Sequence, residues 1–337
     1  MNFPEILNKI VSKENLSFDD AKSAMENIMN GNLLPTQIAA VAVALRIKGE
    51  TENEISGFVT AMKNGAVRLP QLFPNAVDTC GTGGDKLNTF NISTAAAIVA
   101  AGAGVTIAKH GNRSASSKSG SADVLEAFGI NLNATTETEL RALNEIGIAF
   151  LFARSHHPAL KHAGSAREEI GIRTVFNLIG PMTNPAGAGI QLMGVFREAD
   201  IKKVAAVLKK LGAKRAMIVS GHDGMDEISL SSPTDVAELK SNEITIYQIS
   251  PEDFGIKNAP VESLKGGTPE ENAEIILGIL NGTDGAKTDI VLLNAGAVIY
   301  LSGKADSIKS GIEMARQSIS SGEAARKLKQ LIEISNS

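Results

Sequence analysis

The chain has 337 residues, more than one hydrophobic core ordinarily serves, so two domains are expected. Its 33 lysines and arginines against 37 aspartates and glutamates leave a net charge of −4, which argues against a protein built to neutralise a phosphate backbone. Aromatic residues make up only 4% with no tryptophan, too few for the stacking platforms of a single-strand binder, so no nucleic-acid partner is expected.

The opening residues, Met1-Asn2-Phe3-Pro4-Glu5, lack the basic and apolar stretches of a secretory signal, and the chain reads as cytoplasmic. Ser17 precedes the apolar ladder Ala21, Ala24, Met25, Ile28 and Met29, closed by Gly31, which predicts a capped, one-sided helix. Pro35 suits a first helical turn, and Ile38, Val41, Ala42 and Leu45 follow on one face. Thr51 and Glu54 form a capping box before Ile55, Phe58, Val59 and Met62. Residues 1–70 therefore predict a small helical domain. Beyond residue 76 the pattern changes. Strands are expected at 76–79, 104–108, 148–153, 190–195, 216–220 and 244–249. Helices are expected between them, at 94–101, 122–128, 137–146, 158–170 and 200–211, so residues 71–337 read as an α/β domain with a mostly parallel sheet. The stretch 290–301 fits either a strand or a helix, and two helices, near 308–319 and 324–334, close the chain. The longest apolar run, 95–108, is broken by Gly102 and Gly104 and falls short of the roughly 20 residues of a membrane span, so no membrane partner is expected. The lone Cys80 cannot form an internal disulfide.

Four segments carry candidate chemistry. The first strand of the α/β domain runs into Asp78-Thr79-Cys80-Gly81-Thr82-Gly83-Gly84-Asp85, then into Thr89-Phe90-Asn91-Ile92-Ser93-Thr94 at the start of an alanine-rich helix. Glycines let backbone N–H groups approach a ligand, and the helix start adds orphan donors. Asn91, Ser93 and Thr94 suit helix caps, and their oxygens equally suit phosphate or a magnesium shell. The segment is neither a Walker A motif nor a G-x-G-x-x-G fingerprint. The second strand leads into Lys109-His110-Gly111-Asn112-Arg113-Ser114-Ala115-Ser116-Ser117-Lys118-Ser119-Gly120-Ser121, with three cations, five serines and two glycines. Such a donor-rich loop at the carboxyl end of a strand suits a polyanion such as pyrophosphate. Asp226-Glu227, after the strand at 216–220, offers carboxylates of the kind magnesium prefers. Arg167 offers a planar fork for a carboxylate. His156 and His157 have no companion at metal-ligand spacing and read as pocket-lining or cap residues.

Taken together, Gly81-Thr82-Gly83-Gly84-Asp85, Phe90-Asn91-Ile92-Ser93-Thr94, Lys109 to Asn112, Gly171-Ile172-Arg173-Thr174, Gly180-Pro181 and Asp226-Glu227 resemble the anthranilate phosphoribosyltransferases in kind and order. Lys86 departs from the pattern, standing where a glycine often follows the family's aspartate, which implies a changed loop tip. The resemblance implies transfer of a phosphoribosyl group from phosphoribosyl pyrophosphate to the amine of anthranilate in tryptophan biosynthesis. It implies a helical domain, with a contributing segment near 165–185, on an α/β domain of the nucleoside phosphorylase type, and a homodimer through the helical domain. Carried over by position, Gly81, Gly84, Asp85, Thr89, Asn91, Ile92, Ser93, Thr94, the loop Lys109, His110, Gly111, Asn112, Arg113, Ser114, Ala115, Ser116 and Ser117, and Ser121 would hold phosphoribosyl pyrophosphate. Gly81, Asn112 and Arg167 would hold anthranilate, with His110 and Pro181 nearby, and Ser93, Asp226 and Glu227 would bind Mg²⁺. No proton-transfer catalyst is implied, because an aromatic amine is already neutral at pH 7. Two rivals are a pyrimidine nucleoside phosphorylase of the same fold, against which Asp226-Glu227 and Lys109 to Asn112 count, and a non-catalytic nucleic-acid binder, against which the net charge counts.

Overall fold

The computed structural model describes residues 2–84, 87–114 and 118–337. Four helices open the chain: α1 (Phe3–Val11), α2 (Phe18–Met29), α3 (Pro35–Lys48) and α4 (Glu52–Asn64). Ser17 and Thr51 cap α2 and α4, accepting from the N–H groups of Asp20 and Glu54. Glu54 also binds inward. Its buried carboxylate meets Lys48 Nζ at 2.9 Å and the N–H of Leu16 at 2.8 Å, joining the ends of three helices. Ile10, Met25, Ile38, Leu45, Phe58 and Met62 fill the bundle, and Ala166, Val175, Phe176, Ile179 and Met182 join the same apolar cluster from far along the chain.

The remaining elements are β1 (Val77–Gly81), α5 (Ile92–Gly102), β2 (Ile107–Gly111), α6 (Ser121–Ala127), α7 (Thr136–Glu145), β3 (Ile148–Phe152), α8 (Ala153–His156), α9 (Gly164–Ile170), α10 (Val175–Ile179), β4 (Ile190–Gly194) and α11 (Glu198–Lys210). They continue with β5 (Arg215–Gly221), β6 (Thr234–Lys240), β7 (Glu243–Ile249), α12 (Pro269–Leu280), α13 (Ala286–Leu301), α14 (Ile308–Ser320) and α15 (Glu323–Ser335). Among the described residues the strands form one seven-stranded sheet in the order β3-β2-β1-β4-β5-β6-β7. The first five are parallel, and β6 and β7 are antiparallel. The chain winds from β1 outward to β3, then returns to place β4 on the other side of β1. That reversal opens a crevice beyond the carboxyl ends of β1 and β4, where sheets of this kind bind ligands.

One sequence expectation is corrected, one left open is settled, and two elements are added. The single helix expected at 158–170 is a 3₁₀ turn over Pro158–Ala163 followed by α9. The stretch 290–301 is helical, part of α13, and is apolar on every side because it is buried on every side. Strand β6 and helix α12 were not expected. Strand β6 pairs with β7 across a tight turn at Ser241 and Asn242, both at positive φ, which pleats them into a hairpin. At the outer part of the sheet, Glu238 accepts hydrogen bonds from the hydroxyls of Tyr247 at 2.8 Å and Tyr300 at 2.9 Å. Among the described residues no helix is long and apolar enough to cross a membrane.

Candidate active site

Four neighbouring parallel strands, β2, β1, β4 and β5, each end in glycine, at Gly111, Gly81, Gly194 and Gly221. The absence of side chains there lets the loop after β5 fold back over the sheet edge. Asp226 lies against both Gly81 and Gly194. A Cβ on Gly81 would stand 2.9 Å from Asp226 Cγ, and one on Gly194 would stand 3.0 Å from Asp226 Cα and overlap its carbonyl. Asp226 Oδ2 accepts the N–H of Gly83 at 2.7 Å, and Glu227 Oε1 accepts the N–H of Ser93 at 3.1 Å. The adjacent carboxylates thus reach two different elements: the glycine turn after β1 and the first turn of α5.

Lys109 ties the same elements from beneath. Its ammonium, buried in the core, donates to the carbonyl of Thr79 at 2.5 Å and lies 3.5 Å from Ser93 Oγ. Burial pulls its pKa below the ordinary lysine value, opposed by the carboxylates of Asp78 and Glu227. Asp78 is itself buried, and desolvation pushes its pKa up to about 6 even though Asn184 and the N–H of His110 bond to it. Burial drives His110 far below the ordinary histidine value, helped by His157, whose ring lies 5.2 Å away and whose own pKa is lowered to about 4. Both imidazoles are therefore neutral at pH 7. His110 Nε2, Thr82 Oγ1 and Thr94 Oγ1 are buried at these turns with no hydrogen-bond partner among the described residues, and native structures seldom leave such atoms orphaned without a functional reason.

Of the other residues read from the sequence, Asn91 accepts from Asn272 Nδ2 at 2.9 Å and donates to the carbonyl of Ser119, joining the α5 start to the loop after β2. Ile92 is the buried first residue of α5, and Thr89 bridges to Lys265. Asn112 and Ser121 meet through the Asn112 carbonyl, which accepts from Ser121 Oγ at 3.3 Å. The N–H of Ser114 bonds Asp123, and the guanidinium of Arg113 pairs with Asp123 and Glu126. Gly84 holds a positive φ of 74° under the guanidinium of Arg173. Asp85, Lys86, Ala115, Ser116 and Ser117 lie outside the described residues. Arg167 sits on α9, which packs on α3, and its guanidinium lies 5.6 Å over the Phe176 ring. No described carboxylate lies within ion-pair distance of Arg167, and burial lowers its pKa. Among the described residues Arg167 makes no side-chain hydrogen bond or ion pair, so none ties it to the strand-end turns. Pro181 contributes its carbonyl to Gln191 Nε2 at 2.7 Å, beside Cys80.

Sequence reasoning missed Arg173 as a site residue. It donates to the carbonyl of Thr82 at 3.2 Å and stacks 4.4 Å over the Phe196 ring, roofing the glycine turn. It also missed the supports Asn184 and Asn272, whose partners are far away in the sequence. Among the described residues no three His, Cys, Asp or Glu side chains gather as a metal cage. The hard oxygen donors Asp226, Glu227 and Ser93 instead fit magnesium, which keeps waters and shares its shell with phosphate oxygens.

Residues 73–325 match the glycosyl transferase family a/b domain, and residues 4–66 match the glycosyl transferase family helical bundle domain. The anthranilate phosphoribosyltransferase of Methanocorpusculum labreanum is 52% identical over 332 residues, covering 98% of this chain and 97% of that one. The crystal structure of the Thermus thermophilus enzyme of the same name superposes with a TM-score of 0.93 at 42% identity, covering 98% of this chain and 99% of that one. The Saccharomyces cerevisiae enzyme, solved in complex with phosphoribosyl pyrophosphate and Mg, gives a TM-score of 0.90 at 28% identity over 99% of this chain and 98% of that one. With this likeness running through both domains and along the full order of its strand-end turns, the chain belongs to the anthranilate phosphoribosyltransferase family.

Proposed function

We propose that the strand-end crevice carries the family's reaction, the transfer of a phosphoribosyl group from phosphoribosyl pyrophosphate to the amine of anthranilate, with release of pyrophosphate. The observation behind this reading is the double reach of one loop, Asp226 to Gly83 and Glu227 to Ser93, across a turn rich in backbone donors. The turn at Gly81 and Gly84 with Asp85, the α5 start from Thr89 through Asn91, Ile92, Ser93 and Thr94, and the loop from Lys109 to Ser117 with Ser121 hold the diphosphate and sugar. Backbone N–H groups and the α5 N-terminus favour the negative charge that builds on the leaving group. Lys109 adds positive charge beneath them. Asp226, Glu227 and Ser93 hold Mg²⁺, which when bound offsets charge on the departing pyrophosphate. Arg167, lacking a carboxylate of its own, takes that of anthranilate, with Gly81 and Asn112 closing the pocket beside neutral His110. The amine attacks as a neutral nucleophile, so positioning and electrostatics suffice and no side chain is assigned a proton transfer.

The homodimer through the helical domain is part of the same reading. Val11, Leu34 and Ile47, 66%, 64% and 77% exposed, leave apolar surface on the bundle.

The decisive experiment measures pyrophosphate release from the two substrates in the double variant Asp226→Asn, Glu227→Gln. Turnover falls and apparent Mg²⁺ affinity weakens. Wild-type magnesium dependence in the variant, or phosphorolysis of thymidine by the wild type in place of transfer, defeats the assignment.

A further inference from the structure

Helix α13 is an apolar core helix with an amide in its middle: Asn294 is 0% exposed. A buried amide without partners is costly, and this one is fully engaged. Its Oδ1 accepts the N–H of Ile228 at 3.0 Å, while Nδ2 donates to the Ile228 carbonyl at 3.0 Å and to the Ile290 carbonyl at 2.9 Å. One side chain thus takes both backbone polar groups of a single loop residue. That residue directly follows Glu227. A leucine would fill the same volume, so packing alone does not call for asparagine here.

The other side of the loop is fixed as well. Asp223 Oδ1 accepts the N–H of Met225 at 3.0 Å, its Oδ2 takes the hydroxyl of Ser229 at 2.5 Å and that of Ser231, and the Asp226 backbone lies flush on Gly194. Between anchors at 225 and 228 only Asp226 and Glu227 remain, and both turn to the crevice. We propose that Asn294 is a positioning residue for this carboxylate pair, clamping the backbone at Ile228 so that Glu227 stays at the α5 start and Asp226 at the glycine turn before substrate arrives. The clamp removes backbone freedom that metal and diphosphate would otherwise have to quench on binding. This inference rests on the reading that the two carboxylates hold the magnesium of the phosphoribosyl pyrophosphate complex.

The test compares Asn294→Leu and Asn294→Asp with Ser318→Ala, which removes a buried hydrogen bond of 2.7 Å to the Val99 carbonyl elsewhere in the core. Binding of phosphoribosyl pyrophosphate is titrated calorimetrically at a series of Mg²⁺ concentrations, and steady-state constants are measured alongside. Asn294→Leu weakens Mg²⁺-dependent binding by about 10- to 100-fold, the range seen when groups behind metal ligands are lost. Asn294→Asp, which keeps an acceptor for the Ile228 N–H, falls between it and wild type. In both the KM for anthranilate stays within about twofold. Ser318→Ala lowers thermal stability and leaves the magnesium dependence alone. Wild-type magnesium dependence in Asn294→Leu overturns the proposal, as does an equal shift in Ser318→Ala. Should Asn294→Leu not fold, Asn294→Asp carries the test, and wild-type dependence in it is the overturning result. The double variant Asp226→Asn, Glu227→Gln is titrated in parallel. If that variant also binds as wild type does, the site assignment falls and this proposal with it; if it alone weakens, only the role of Asn294 falls.

Discussion

Gly81→Ala tests the link between the glycine turn and the carboxylate loop with a single methyl group. The added carbon would stand 2.9 Å from Asp226 Cγ and nearer still to Oδ2. Ordinary carbon contacts begin near 3.5 Å, so the carboxylate must retreat by about 0.6 to 1 Å. It then gives up its 2.7 Å bond to the Gly83 N–H. A displacement of about 1 Å in a positioned group costs on the order of 100-fold in rate, which is about 2.7 kcal/mol. The obstructing atoms end a side chain that can rotate, so the fold absorbs the change and the melting temperature moves by less than about 3 °C. Gly194→Ala behaves differently, because its new carbon meets the backbone of Asp226 and must lower stability as well as activity. The assay is initial-rate pyrophosphate release across a matrix of Mg²⁺ and phosphoribosyl pyrophosphate concentrations, with a thermal melt of each variant. Magnesium dependence is the discriminating readout, since Gly81 is also proposed to border the anthranilate pocket. Rates for Gly81→Ala within about threefold of wild type at every Mg²⁺ concentration would refute the argument that the placement of Asp226 governs turnover.

Arg167→Ala raises the KM for anthranilate by about 10- to 100-fold, the worth of a charge-assisted hydrogen bond pair, and leaves that for phosphoribosyl pyrophosphate within about twofold; equal effects on both count against a carboxylate role. The folded His157 resists protonation until about pH 4, whereas the unfolded chain takes the proton near 6.5, so acid favours unfolding over that window. Wild type therefore loses about 3 kcal/mol more than His157→Gln as pH falls from 7 to 4, the glutamine still being able to donate to the Thr183 carbonyl. Urea unfolding across that range checks this, and parallel curves contradict it. Ile47→Asp places a charge on the exposed apolar surface of the bundle; if the proposed dimer forms there, sedimentation finds wild type as dimer and the variant as monomer, and the same profile for both removes that surface from the interface.

Local signals were the legible ones. Ser17 and Thr51 announce their helices because a cap bonds only three residues ahead. The glycine turn, the Lys109 loop and Asp226-Glu227 stand out because each concentrates its chemistry within a few residues of a strand end. Thr268, Pro269 and Glu271 carry the same kind of start signal for α12, yet they follow an irregular stretch that masks it. The β6–β7 hairpin was missed because Ser241-Asn242 is a weaker turn signal than Asn-Gly, and Glu238 interrupts the apolar run. The amphipathic pattern could not decide the class of 290–301, since a segment buried all round has no polar face to give it a period. Asn184, Arg173 and Asn294 act on Asp78, Thr82 and Ile228 across 106, 91 and 66 positions, and no spacing rule reaches that far.

The two tyrosine hydroxyls held by Glu238 decide what light can report about this enzyme. With no tryptophan in the chain, native ultraviolet emission comes chiefly from Tyr247 and Tyr300, whose hydroxyls both donate to Glu238 beside the outer strands. Intrinsic fluorescence therefore reports on that corner of the sheet and not on the crevice. The blue glow of an aminobenzoate can then be followed against a dark protein background.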